Sequence, residues 1–136
     1  MENPISGSCL CGSVAYQLVG PSSQFHWCHC SQCRKVTGSA HVANIFTKPE
    51  NLKWLKGEDN CKRYDLPGGA FLSNAFCQDC GTRVPWLSRD DQWYIVPAGS
   101  LDGDADIAPQ DNIFWADRAN WYDAGVKATR FDQYPT

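Results

Sequence analysis

Excess positive charge is missing from this chain: 12 lysines and arginines stand against 15 aspartates and glutamates, a formal charge of −3. Binding nucleic acid by neutralising phosphates needs a basic field, so no nucleic-acid partner is expected. Long apolar runs are missing as well, and no membrane-spanning segment or membrane partner is expected. The opening residues Met1-Glu2-Asn3-Pro4-Ile5 lack the basic flank and apolar stretch of a secretory leader, which leaves a cytoplasmic protein as the expectation. There is no internal repeat, low-complexity tract or charged tail. At 136 residues, the whole chain, 1–136, is expected to fold as one domain with a modest core that structural staples would help.

Cysteine, by contrast, is plentiful. Seven of the eight fall into three tight groups: Cys9-Leu10-Cys11, Cys28-His29-Cys30-Ser31-Gln32-Cys33 and Cys77-Gln78-Asp79-Cys80. Four disulfides are one reading of this number, but disulfide scaffolds are usually smaller and secreted, and C-x-C and C-x-x-C spacings suit a shared metal better than distant bridges. A redox pair at Cys77 and Cys80 lacks the βαβ surroundings such a pair normally has. The seven thiols sort instead into one set of four and one set of three. Four thiolates close a tetrahedral zinc; three leave a coordination position open.

The set of four joins Cys9 and Cys11 to Cys77 and Cys80. Cys9 and Cys11 share a face if their segment is extended, with Leu10 turned the other way, toward the core. Cys77-x-x-Cys80 followed by Gly81 has the form of a zinc knuckle, in which glycine permits a tight turn that aims backbone N–H groups at sulfur. A metal joining two pairs so far apart would constrain the unfolded chain as a long-range crosslink does. Separate buried cysteines are the plainer reading.

The set of three, Cys28, Cys30 and Cys33, bears on function. Three thiolates around Zn²⁺ carry about −1, against about −2 for four, so this centre keeps Lewis acidity and room for an anionic ligand. His26 lies on the same face of an extended strand as Cys28 and Cys30 and is a candidate fourth ligand that would make the centre purely structural. His29 points away from them, His41 reads as an ordinary polar residue near the core, and Cys61 reads as a small buried hydrophobe.

Short strand-like stretches dominate the rest. Ser13–Val19, Gln24–Cys30, His41–Phe46, Cys61–Leu66, Ala70–Phe76, Val84–Leu87 and Trp93–Val96 are strand candidates, and Pro67-Gly68-Gly69 reads as a turn. Pro85 restricts its strand to an edge or a bulge. Ser31 is a candidate cap for a short helix through Val36, ended by Gly38. Residues 101–111 read as polar, acidic and turn-rich, before apolar character returns at Ile113-Phe114-Trp115. The fold class expected from this pattern is mainly β with little helix.

The motifs Cys9-Leu10-Cys11-Gly12, Cys28-His29-Cys30-Ser31-Gln32-Cys33-Arg34-Lys35 and Phe76-Cys77-Gln78-Asp79-Cys80-Gly81-Thr82 resemble those of the glutathione-dependent formaldehyde-activating enzyme family, which also includes centromere protein V. The resemblance runs from about residue 6 to about 135. It implies a β-tent fold, a structural zinc at Cys9, Cys11, Cys77 and Cys80, and a catalytic zinc at Cys28, Cys30 and Cys33. It further implies a carbon–sulfur lyase that joins glutathione to an aldehyde, S-hydroxymethylglutathione being the founding adduct, or that acts on a related glutathione conjugate. The chain is similar to the shorter members. One departure stands out: Asn112 occupies a position where many relatives carry histidine. A thiol such as glutathione brings two carboxylates, for which Arg34 and Lys35 beside Cys33 are candidate partners, with Arg83 and Arg118 behind them. Trp27, Phe114, Trp115 and Trp121 are candidate pocket walls. The competing reading is a non-catalytic double-zinc binding or interaction module, which the acidic charge and the lack of a basic extension disfavour.

Overall fold

The computed structural model describes residues 3–68 and 71–135. Within them the chain forms strands β1 (Ile5–Ser8), β2 (Ala15–Leu18) and β3 (Ser22–Cys28), helix α1 (Ser31–Thr37), and strands β4 (Val42–Thr47), β5 (Leu52–Lys56), β6 (Cys61–Asp65), β7 (Ser73–Cys77), β8 (Trp86–Leu87), β9 (Tyr94–Pro97) and β10 (Asp111–Ile113), followed by helix α2 (Tyr122–Lys127). The mainly β class expected from the short, turn-bounded strands is what forms. None of the described helices is long and apolar enough to cross a membrane.

Three sheets result: β1-β2-β5, β10-β3-β4-β9-β8 and the β6-β7 hairpin. In the five-stranded sheet Cys28 pairs with Val42, His26 with Asn44 and Phe25 with Ile45, while Ile45 pairs with Val96 and Phe46 with Ile95. Side chains alternate across a strand, so this register sorts them cleanly. Phe25, Ile45 and Val96 go to one side and pack with Tyr16, Leu18 and Leu52 of the first sheet. Cys28, His26, Asn44, Phe46 and Ile95 go to the other, where the chain builds its candidate site. Trp86 pairs with Ile95, which brings β8 to the edge beyond β9, the position that Pro85 requires.

Two close approaches fix the first sheet. A Cβ on Gly7 would run into the Tyr16 ring, which is fully buried, and one on Gly57 would meet the backbone of Ser13 and Val14. Gly57 also has φ 77, the left-handed turn that leads from β5 into a 3-10 turn at Glu58–Asn60.

Several local expectations are corrected. The Cys9–Cys11 segment is a turn after β1 rather than an extension of it, closed by the Gly12 N–H donating to Cys9 O at 3.0 Å; Leu10 is consequently 88% exposed instead of reaching the core. The strand ends at Cys28, not Cys30. Helix α1 is capped by the Cys30 sulfur, which accepts from the Cys33 N–H, rather than by Ser31; its end at Gly38, φ 65, is as expected. Residues 111–113, which run from the end of the stretch read as polar loop into the return of apolar character at Ile113, form β10 parallel to β3, pairing Asp111 with His26, Asn112 with Trp27 and Ile113 with Cys28. Strands β1 and β5 and helix α2 were not anticipated. The turn at Pro67-Gly68-Gly69 and the start of the Ala70–Phe76 strand lie partly outside the described residues.

Gly57→Ala should lose the left-handed preference, about 1–2 kcal/mol, and add a backbone collision. Gly38→Ala, with open space around its Cβ position, should lose only the former. Urea unfolding of both variants should show Gly57→Ala as clearly the less stable; equal losses would contradict the packing argument.

Candidate metal centres

The four-thiol group is assembled from two similar turns. Gly12 at φ 81 closes the first; Gly81 at φ 77 closes the second, its N–H donating to Cys77 O at 2.9 Å. The Leu10 N–H donates to Thr82 Oγ1 at 3.0 Å and ties one turn to the other. The four sulfurs lie within 4.8 Å of one another, with Cys9 Sγ 3.7 Å from Cys11 Sγ and Cys11 Sγ 3.9 Å from Cys77 Sγ. A tetrahedron of sulfurs about 2.3 Å from a zinc ion has edges of roughly 3.8 Å, so the donor set fits that ion. Polar groups surround the sulfurs: the Ser13 hydroxyl lies 3.1 Å from Cys11 Sγ and 3.3 Å from Cys77 Sγ, and the Val14 N–H donates to Cys9 Sγ at 3.2 Å. Hydrogen bonding with the Thr82 hydroxyl and backbone pulls the Cys80 thiol down to about 5. Cys9 and Cys77 are buried among Val14, Ala75, Val84, Trp86 and Ile95, so the cluster is continuous with apolar core.

The three-thiol group forms at the junction of β3 and α1. Cys28 is the last strand residue, Cys30 caps the helix and Cys33 sits in its first turn; their sulfurs also lie within 4.8 Å of one another. A hydrogen bond from Cys33 holds the Cys28 thiol down at about 6, whereas the Cys28 sulfur and burial push the Cys33 thiol up. All eight cysteines are free thiols.

His26 does not join this group. It lies on the predicted face, yet its ring nitrogens are 2.6 Å from Asp111 Oδ1 and 2.8 Å from Gln24 Oε1. His29 does point away, as expected, and is fully buried. Its Nε2 donates to Asn112 Oδ1 at 2.9 Å, and its ring is 4.9 Å from those of His41 and Tyr122 and 5.1 Å from that of Trp115. Asn112 therefore touches the residue between two of the three thiols. His41 stacks on Trp27 at 4.3 Å, and burial lowers its pKa. Cys61 is half-buried beside the four-thiol cluster, and burial raises its thiol to about 11.

A cavity of about 380 Å³ opens on Cys28, Cys30 and Cys33. Phe114 lines it, from a backbone at φ 53 that bulky residues seldom adopt. The other suggested aromatic walls do not: Trp27 and Trp115 pack around the histidines, and Trp121 lines a separate recess of about 240 Å³. Arg34 and Lys35 share that recess with Trp121 and Ser31, on the flank of α1 rather than in the thiol-lined cavity. Arg83 donates from Nε to Asn74 Oδ1 at 2.7 Å and lines a third cavity, of about 650 Å³, with Cys9 and Thr37. Arg118 lies over Trp115 at 4.4 Å and 3.6 Å from Asp123 Oδ2.

The walls that sequence reasoning missed are Asn44, Phe46, Leu72, Trp86, Ile95 and Ile113. Alternation along β4 could have placed Asn44 and Phe46 on one face, but only the sheet register shows that this is the face of Cys28.

Comparison with known proteins bears on the fold and the family. A crystal structure of a Rhodobacter sphaeroides protein superposes with a TM-score of 0.60 at 23% identity, covering 79% of this chain and 98% of that one, which shows a shared fold. A Halomonas elongata protein, provisionally described as a glutathione-dependent formaldehyde-activating enzyme, is 27% identical over 113 residues, 78% of this chain and 71% of its own length. The model of the glutathione-dependent formaldehyde-activating enzyme family matches residues 4–117, and the chain belongs to that family.

Proposed function

We propose that this protein is a zinc-dependent enzyme of the carbon–sulfur lyase type with a β-tent fold, acting on the adduct between glutathione, or a closely related thiol, and an aldehyde. The observation that carries the reading is the open trio Cys28, Cys30 and Cys33 at the floor of a cavity, apart from a closed quartet elsewhere. In this reading Cys9, Cys11, Cys77 and Cys80 hold a structural zinc and Cys28, Cys30 and Cys33 a catalytic one. Bound by the three thiolates, zinc would supply Lewis acidity and favour the deprotonated form of an incoming thiol.

The reaction is an addition. A bond forms between sulfur and the aldehyde carbon, the carbonyl π bond breaks, and its oxygen ends as a hydroxyl carrying the proton that left the thiol. Nothing else is released, and the reverse step returns thiol and aldehyde. The residues around the trio suit these demands. Phe46, Leu72, Trp86 and Ile95 give the space beside the trio apolar walls. Asn44 lies on the same sheet face as Cys28 and lines the cavity; its side-chain amide is the polar group there that the adduct's hydroxyl meets. Arg34 and Lys35, in the recess beside Ser31, offer cations to the thiol's carboxylates.

Three outcomes are expected. Cys30→Ser should lower bound zinc from two ions to about one per chain, leave the circular dichroism spectrum intact and abolish turnover in a glutathione-and-aldehyde assay. Full turnover with one zinc would defeat the proposal. Cys77→Ala should instead yield protein that is unfolded or insoluble; a stable variant retaining two zinc ions would refute the structural assignment. Asn44→Leu should lower kcat/KM about tenfold, the worth of one hydrogen bond of ~1.4 kcal/mol, with zinc content unchanged. Unaltered kinetics would remove Asn44 from the site.

A further inference from the structure

The cavity of about 380 Å³ beside the three thiols is walled mostly by hydrocarbon. The amides and carboxylates of a thiol such as glutathione are poor partners for such walls, and a hydroxymethyl group has only two heavy atoms to set against them. Phe46, Leu72, Trp86 and Ile95 line that volume, and Phe71 stands at its mouth, 89% exposed. Phe46, Phe71, Trp86 and Ile95 also line a neighbouring cavity of about 510 Å³. The apolar lining therefore runs on from the thiols along the sheet face toward Trp93. Ligand sites of several hundred cubic ångströms with apolar walls and a few polar groups hold whole organic substituents.

We infer that the aldehyde-derived part of the substrate carries an apolar substituent the size of a phenyl or short alkyl group, held against Phe46, Leu72, Trp86 and Ile95. This rests on the thiol-adduct reading above and adds its substrate class. The geometry has a simple logic. Cys28 pairs with Val42, and the next same-face positions of β4 are Asn44 and then Phe46, which pairs with Ile95; Ile95 pairs in turn with Trp86. A molecule anchored by its sulfur near Cys28 thus meets first the Asn44 amide and then a band of hydrocarbon. The order sulfur, hydroxyl-bearing carbon, apolar group is that of a hemithioacetal formed from an aldehyde larger than formaldehyde. Burying a phenyl-sized surface is worth a tenfold or greater gain in affinity even when only part of its area leaves water.

The test is calorimetric binding of two unreactive thioethers, S-methylglutathione and S-benzylglutathione, to the zinc-loaded protein. The benzyl compound should bind at least tenfold more tightly. Phe46→Ala, which removes a wall, and Phe71→Ala, which removes the ring at the mouth, should each bring the ratio down toward one with zinc content retained. Equal affinities in the unaltered protein, or a preference that survives both substitutions, would overturn the inference and leave the thiol-adduct reading standing. Failure of both compounds to bind protein with two zinc ions would overturn that reading and the inference together.

Discussion

The pairing of β3 with β4 is the constraint on which the candidate site depends. It decides that Cys28, His26, Asn44 and Phe46 share one side of the sheet while Phe25 and Ile45 share the other. A slip of one residue would exchange the two sets, sending Ile45 and Phe25 out of the core and the cysteine away from its companions. The register is held firmly because the core side is fully committed: Ile45, Val96, Tyr16 and Leu18 are all buried completely. Removing Ile45 or Val96 from water contributes about 1.5–3 kcal/mol each. The chemistry on one face is thus positioned by hydrophobic packing on the other.

The two thiol groups illustrate different solutions to holding several sulfurs together. The quartet is drawn from segments 66 residues apart, Cys11 and Cys77, and needs a matched pair of glycine-closed turns with a cross-link from the Leu10 N–H to Thr82. The trio comes from six consecutive residues, and one change of backbone direction at a helix start is enough. That economy leaves the trio beside the cavity, whereas in the quartet Ser13 and Thr82 touch the sulfurs, Cys9 and Cys77 are buried against the core and Cys11 is exposed.

Cysteine spacing made both groups legible in the sequence, since clusters at C-x-C and C-x-x-C intervals have few other physical uses. The alternating patterns of β2, β3, β4, β6, β7 and β9 were legible for the same reason, as was the helix stop at Gly38. What was not legible depends on long-range pairing. Strand β10 is a three-residue segment, Asp-Asn-Ile, with no strand signature; it becomes a strand because β3 offers an edge. Leu72, Trp86 and Ile95 come from three different elements, and nothing local says that they meet beside Cys28. The cap of α1 was assigned to Ser31 because serine is the usual capping residue, but here a cysteine sulfur takes the role. The ring cluster around His29 was invisible for a related reason: Asn112, His41, Trp115 and Tyr122 converge only when β10 docks.

The position of β10 has a consequence for biosynthesis. Cys28, Cys30 and Cys33 leave the ribosome well before Ile113, the residue that pairs beside Cys28. At the usual elongation rates the interval is roughly 4–16 s, far longer than a helix turn or a hairpin takes to form. For that time the three thiols sit on a nascent chain that lacks the strand pairing beside Cys28, open to metal capture and to oxidation alike.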